Sequence, residues 1–181
     1  MKTDIIWPES ILKATPEALQ RIADSKLVAQ NLRDVFPHPY TLDDAVDFLN
    51  NVRQGKMGIV YGMFLNTGEL VGIISLTPGR DVNRYSAEVG FFVGEQYWNR
   101  GYATEALMLV VNFAQYRHGF KRLFATVFDF NPASMRVLEK TGFKKEGIMK
   151  SSAVKDDKVI DEHLYGLVLG KSNIEILGRC M

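Results

Sequence analysis

Cysteine is nearly missing: the 181-residue chain holds one, Cys180, beside its C-terminus. That excludes a disulfide framework and any cysteine-based metal site, and it fits a reducing, cytoplasmic setting. Long apolar runs are lacking as well. Nothing approaches the roughly 18 continuous apolar residues that cross a bilayer, and the opening MKTDIIWPESILK has no core of signal-peptide length. No membrane partner is expected. Neither charge is in excess, since 22 Lys plus Arg stand against 21 Asp plus Glu, a formal net charge of +1. Without a basic stripe, counterion release gives little hold on bulk nucleic acid. His38, His118 and His163 stand at no metal-ligand spacing, so no metal is expected. Repeats of about 20 to 50 residues are absent too, which removes solenoids and propellers.

What is present is the composition of an ordinary folded chain, 46% hydrophobic and 24% charged. The length is close to the roughly 150 residues of one domain. Ser10 to Lys13 alternates as a short edge strand. Thr15-Pro16-Glu17 is an N-cap with proline at the first helical position and predicts a helix to Asp24. Prolines on either side of His38 make the stretch from Asn31 to Tyr40 irregular, and Thr41 to Asp44 then caps a helix through about Val52.

From Gly58 the character changes to β-branched and aromatic runs. Gly58 to Leu65 and Glu69 to Leu76, joined by Asn66-Thr67-Gly68, predict an antiparallel hairpin. Tyr85 to Val93 alternates as a third strand, with Tyr85, Ala87, Val89, Phe91 and Val93 on one face. Ala103, Ala106, Leu107, Val110, Val111 and Ala114 recur at three- and four-residue spacing and predict the longest helix, ending near Gly119. Leu123 to Phe128 reads as a strand, and Asn131-Pro132 opens a helix through Lys140 that Thr141-Gly142 closes. Phe143 to Met149 and Ile160 to Leu169 close the fold as strands, around a solvated turn at Lys155 to Lys158. The order predicts an α/β (α+β) class: a single-domain mixed, mostly antiparallel sheet with helices on both faces and one locally parallel pair. The domain is expected over 1–170, followed by a C-terminal tail, 171–181. The apolar stretch from Ile174 to Leu177 in that tail leaves monomer and homodimer both open.

Gly101-Tyr102-Ala103 stands between a strand and the longest helix, where the amides of a first helical turn lack partners. Small residues there let a diphosphate approach the backbone, with the macrodipole adding roughly 0.3 to 1 kcal/mol. Ordinary close packing would also select them. No Gly-Lys-Ser/Thr follows and no three-glycine fingerprint is present, so nucleotide hydrolysis and hydride transfer lose ground.

The strand Glu88-Val89-Gly90-Phe91, followed by Tyr97 to Ala106 (YWNRGYATEA), resembles the acetyl-CoA-binding segment of the GCN5-related N-acetyltransferase (GNAT) superfamily, in its ribosomal-protein-alanine (RimJ/RimL-like) branch. Asn131 to Phe143 is similar to that family's Asn-x-x-Ser helix ending in Gly-Phe, with weaker echoes at Pro39-Tyr40-Thr41 and Asp161 to Leu169. The resemblance implies the acyl-CoA N-acyltransferase (GNAT) fold and acetyl-CoA as co-substrate. It implies a diphosphate on Trp98, Asn99, Arg100, Gly101, Tyr102, Ala103 and Thr104. The pantetheine arm would lie along Phe91, Phe92 and Val93, near Asn131 and Ser134. The family carries Gln or Arg where Trp98 stands, but the contact is mostly backbone, so binding is expected to survive. The activity implied is N-acetylation of a primary amine, either a protein N-terminus or a small molecule. The rival reading is a non-catalytic acyl-CoA sensor or interaction module.

Acyl transfer to an amine needs a neutral nucleophile, a donor for the oxyanion and a proton for the departing thiolate. Glu88 and Glu95 are the candidate bases. A strand amide near Phe92 or Val93 would serve the oxyanion. The tyrosine that many relatives use for the thiolate is replaced by Leu138. Ser134 and Tyr165 are the remaining candidates, Ser134 being also a small residue that lets the cofactor pass. By analogy, Phe36, His38 and Tyr40 in the proline-rich loop and Arg80 to Tyr85 wall the acceptor site.

Overall fold

The structure is a computed structural model that describes residues 8–170, so the expected tail, with Cys180, lies outside the described residues. Seven strands form one sheet: β1 (Glu9–Ser10), β2 (Ile59–Phe64), β3 (Leu70–Pro78), β4 (Ser86–Val93), β5 (Arg122–Phe128), β6 (Lys144–Lys155) and β7 (Lys158–Val168). They lie in the order β1-β2-β3-β4-β5-β7-β6. Every neighbouring pair is antiparallel except β4 and β5, which run parallel. The helices are α1 (Pro16–Ala23), α2 (Lys26–Ala29), α3 (Leu42–Arg53), α4 (Tyr102–Tyr116) and α5 (Pro132–Lys140). This is the mixed, mostly antiparallel sheet that the alternation of strand and helix periods predicts. Among the described residues no helix is long and apolar enough to cross a membrane.

Three local expectations change. The edge strand expected at Ser10 to Lys13 is a strand at Ser10 alone, where the two-residue β1 ends. Ser10 Oγ then accepts from the Leu12 amide and caps a 3-10 turn that buries Ile11. The four-residue α2 is unexpected, and Ser25 caps it by accepting from the Val28 amide. Finally, β6 runs on past Met149 to Lys155. Its register on β7 shifts twice, which breaks the period-two pattern by which a strand is read from sequence.

The cross-strand register sorts the two faces. Ala87, Val89 and Val93 on β4 share a face with Leu123, Ala125 and Val127 on β5, and all six are buried. α4 and α5 cover that face: Tyr61, paired with Ile74, meets Phe113 of α4, and Tyr165 of β7 donates to Glu139 of α5 at 2.9 Å. On the opposite face Phe36 packs edge-on against Phe92, with ring centroids 5.5 Å apart, and the α-carbon of Gly94 abuts Ile22 of α1. Around Glu88, Thr126 and Glu162 this second face is half-buried rather than sealed. That uneven cover leaves room for a site.

Gly72 marks how tightly β3 and β4 approach. A Cβ there would stand 2.6 Å from the Phe92 carbonyl oxygen and 3.2 Å from Val93 Cα, both backbone atoms that cannot swing away. Gly72→Ala should therefore lower stability by about 1 to 3 kcal/mol, an overpacking cost read as a lower urea midpoint at unchanged slope. An unchanged midpoint would show that the two strands have slack.

Candidate active site

The parallel pairing of β4 with β5 covers three residue pairs, Ser86 to Glu88 on Arg122 to Phe124, and then stops, although both strands continue. They splay. The Gly94 amide donates to the Val71 carbonyl and the Gly79 amide to that of Ser86, so the even-numbered residues of β4 turn their backbone groups toward β3. The amides of Phe91 and Val93 therefore face the splay, and that of Phe92 does not. Of the two oxyanion donors expected from sequence, register leaves Val93 and adds Phe91. Trp98 closes the rim by donating its indole Nε1 to the Val93 carbonyl at 2.7 Å.

A cleft of about 390 Å³ opens from the splay toward the start of α4. Gly101 takes φ +84° as N-cap there, and nothing lies within 4 Å of where its Cβ would be. α1, α2, α3 and α5 are capped by the side chains of Thr15, Ser25, Thr41 and Asn131, but α4 has no side-chain cap. Its first amides face the cleft beside Arg100, Arg136 and Lys140, which also line it. Arg100 donates to the Gln96 carbonyl at 3.0 Å. Unpartnered amides, a helix dipole and three cations make an anion site, and the extended opening beyond it suits an amide-bearing arm. The residues fit acetyl-CoA.

A second, smaller chamber of about 130 Å³ lies on the other side of the splay, over the half-open face. Glu88 stands in it. Its Oε1 accepts from Arg33 Nη2 at 3.0 Å and from Thr126 Oγ1 at 3.3 Å. Glu162 supplies a second carboxylate to the same lining. Asn31, Leu32, Phe91, Asn131 and Ser134 border both chambers, so the two meet at the splay. Asn131 is occupied locally, its Oδ1 accepting from the Ser134 amide at 3.1 Å.

Of the cofactor contacts expected from sequence, Phe91, Phe92, Val93, Asn131, Ser134 and all of Trp98 to Thr104 line the larger cleft. Glu95 does not. Its carboxylate accepts from Ser25 Oγ at 2.6 Å and holds the α1–α2 corner, lining neither chamber. Tyr165 is buried, lines neither chamber, and keeps its proton, because burial and the neighbouring Glu139 push its pKa up to about 12. Three residues expected in the acceptor wall, Tyr40, Tyr85 and Phe36, line neither chamber. Tyr40 is 4% exposed and stacks on Phe36 in the core, and burial raises its hydroxyl pKa. Tyr85 is exposed beneath the Arg84 guanidinium, away from both chambers. Phe36 is a backing residue for Phe92 rather than a wall. Sequence reasoning missed Val28, Asn31 and Leu32, since α2 was unseen. It also missed Arg136 and Lys140, whose spacing of four on a capped helix is the signal that could have found them.

A family model described as acetyltransferase (GNAT) domain matches residues 12–144. The chain belongs to the GNAT acetyltransferase family. The Bacillus subtilis protein YoaA, an uncharacterized N-acetyltransferase, is 34% identical over 116 residues, which are 64% of this chain and 65% of that one. A GNAT-family acetyltransferase from Bacillus anthracis superposes with a TM-score of 0.77 at 24% identity, over 91% of this chain and 98% of the other. RimL, a ribosomal-protein alpha-N-acetyltransferase solved with coenzyme A, gives 0.77 at 18% identity over 91% and 93%. At such identities the two structures show a shared fold.

Gly101→Glu would place a fixed negative charge at the unobstructed N-terminus of α4, where the GNAT cleft offers its amides. Calorimetric titration should find acetyl-CoA affinity reduced at least a hundredfold, a loss of about 2.7 kcal/mol or more, combining dipole, like-charge and positive-φ penalties. Undiminished affinity would move the anion site elsewhere.

Proposed function

We propose that this GNAT domain is an N-acetyltransferase that takes its acetyl group from acetyl-CoA and delivers it to a primary amine. The carrying observation is the passage through the sheet: a cationic cleft on one side, a carboxylate-lined chamber on the other, and a splay of unpaired backbone where they meet. Acetyl-CoA supplies an activated acyl carbonyl. The α4 amides, Arg100, Arg136 and Lys140 would hold its phosphates. The Phe91 or Val93 amide polarises the carbonyl oxygen, a role worth several kcal/mol where a donor is prepositioned.

Glu88 is the base of this scheme. Oε1 is engaged by Arg33 and Thr126, and Oε2 remains to accept from an arriving ammonium, directly or through water. Glu162 adds negative potential that draws a cationic amine into the chamber. Ser134 reaches both chambers, and its Oγ makes no hydrogen bond among the described residues, so it can hold a proton near the leaving sulfur. Ser134 is also small enough to let the arm pass, and the thiol's ordinary pKa near 8.5 makes it a tolerable leaving group without help. The acceptor we favour is an α-amine, as at a protein N-terminus that begins with a small residue. The chamber of about 130 Å³ takes an amine-bearing head and opens at the splay onto the larger cleft.

Thiol release, followed by mass spectrometry of the products, over peptides beginning with Ala, Ser or Met, free amino acids and spermidine tests the activity and the acceptor together. Release with none of them despite tight acetyl-CoA binding would leave a binding module. Glu88→Gln should keep acetyl-CoA affinity and slow kcat by about a hundredfold or more at pH 7, the usual range for loss of a general base. An α-amine of pKa near 7.7 to 8.0 is about a tenth free base at pH 7 and mostly free at pH 9, so the deficit should shrink as pH rises. Full-speed turnover by that variant at pH 7 removes Glu88 from the role.

A further inference from the structure

Among the described residues Lys155 is a charged side chain that the fold buries, at 9% exposure. The sequence places it in a solvated turn. Instead its Nζ donates to the Leu32 carbonyl at 2.8 Å and to Asp34 Oδ1 at 2.6 Å. Those two acceptors bracket Arg33, the residue that donates to Glu88. Leu32 borders both chambers. The segment from Asn31 to Phe36 has no strand or full helix to hold it, only turn bonds such as Leu32 amide to Ala29 carbonyl and Phe36 amide to Arg33 carbonyl. Phe36, at its far end, is fixed by Tyr40 and Phe92.

The other side of the tie is rigid. β6 and β7 join through Asp156 and Asp157, which take φ +49° and +61°, the backbone of the tight hairpin turn that matches strand twist. Lys155 pairs with Lys158 at the hairpin's end, so its side chain leaves from a fixed point. A buried ammonium carries a desolvation penalty, and its partner Asp34 is largely exposed, so the pair is poor evidence of added stability against an apolar side chain of similar size. What such a pair supplies is a defined geometry.

We infer that Lys155 is a positioning residue of the acceptor chamber: it pins 32–34 to the β6–β7 hairpin, so that Arg33 is held on Glu88 and Leu32 across the passage. This rests on the acetyltransferase reading. Lys155→Met preserves the buried stem and removes the ammonium, while Asp34→Asn removes the charge at the exposed end, where folding is not at risk. Two readouts on the whole protein decide it. Amide exchange across 31–36 should quicken roughly tenfold in Lys155→Met and less in Asp34→Asn, as loss of a charge-assisted bond implies. Steady-state assays use acetyl-CoA with peptides beginning with Ala or Ser, and with spermidine. They should show the acceptor KM raised roughly tenfold while the acetyl-CoA KM stays within about twofold, because the phosphate-side groups sit on α4 and α5. Unchanged exchange in Lys155→Met overturns the inference. So does a lowered melting temperature with both KM values unmoved, the signature of a purely structural lysine. If the unaltered protein acetylates none of these amines, the acetyltransferase reading fails, while the exchange comparison still decides whether Lys155 orders the segment.

Discussion

The site depends on a ladder that ends early. β4 and β5 pair over three residues and then part, which opens a slot through a sheet that is otherwise continuous. Unpaired backbone in a sheet is costly unless something satisfies it. Trp98 takes the Val93 carbonyl, while the amides on that edge are left for an extended polar ligand. Asn131 and Ser134, at the start of α5, stand in the slot as a wedge, and both border the chambers on either side. Helix placement follows from the same break. α4 and α5 cover one face, α1 and α3 the other, and the face around Glu88 receives only the segment near Leu32.

The slot separates charge. On the α4 side lie bare amides with Arg100, Arg136 and Lys140, and on the other Glu88 and Glu162 outnumber the one cation there, Arg33, which is paired with Glu88. A chain whose net charge is only +1 thus builds two local fields of opposite sign. A polyanionic donor and a cationic acceptor would each be drawn to its own entrance, and neither competes for the other's. The arrangement also explains why α4 goes without the side-chain cap that the other helices have. A serine or aspartate side chain at Gly101 would occupy the amides that an incoming anion needs.

The parts of this design that obey simple periods were legible in the sequence. The spacing from Ala103 to Ala114, the alternation of Tyr85 to Val93 and the cap signals at Thr15, Thr41 and Asn131 report local geometry, and local geometry decides those elements. The stretch from Trp98 to Thr104 was legible only through the family resemblance, because small residues at a helix start serve close packing equally well; the fold places these residues along the larger cleft. Roles set across the fold were not. Glu88 and Glu95 look equivalent as sequence. Only the fold shows that one faces a chamber and the other holds Ser25. Tyr40 reads as a loop aromatic until the fold stacks it on Phe36 and ties its backbone to Asp24 and Gln20 at α1. Lys155, followed by Asp156, Asp157 and Lys158, carries no local mark of burial, and its partners lie more than 120 positions away.

The chemistry then bears on which amines the chamber can serve. Glu88 has one carboxylate oxygen to offer, because Arg33 and Thr126 take the other. A general base typically contributes about 10²- to 10⁴-fold. An α-amine near pKa 7.7 to 8.0 needs only about a tenfold gain to be fully free at pH 7, whereas a lysine near 10.4 needs several thousand. The difference, roughly 2.5 pKa units or about 3.4 kcal/mol, is comparable to the whole of the roughly 2.7 to 5.4 kcal/mol that a general base contributes. For an α-amine the same group is left free to act in the bond-forming step. In the proposed scheme, proton affinity therefore favours an α-amine over a lysine, whereas the size of the chamber admits either primary amine.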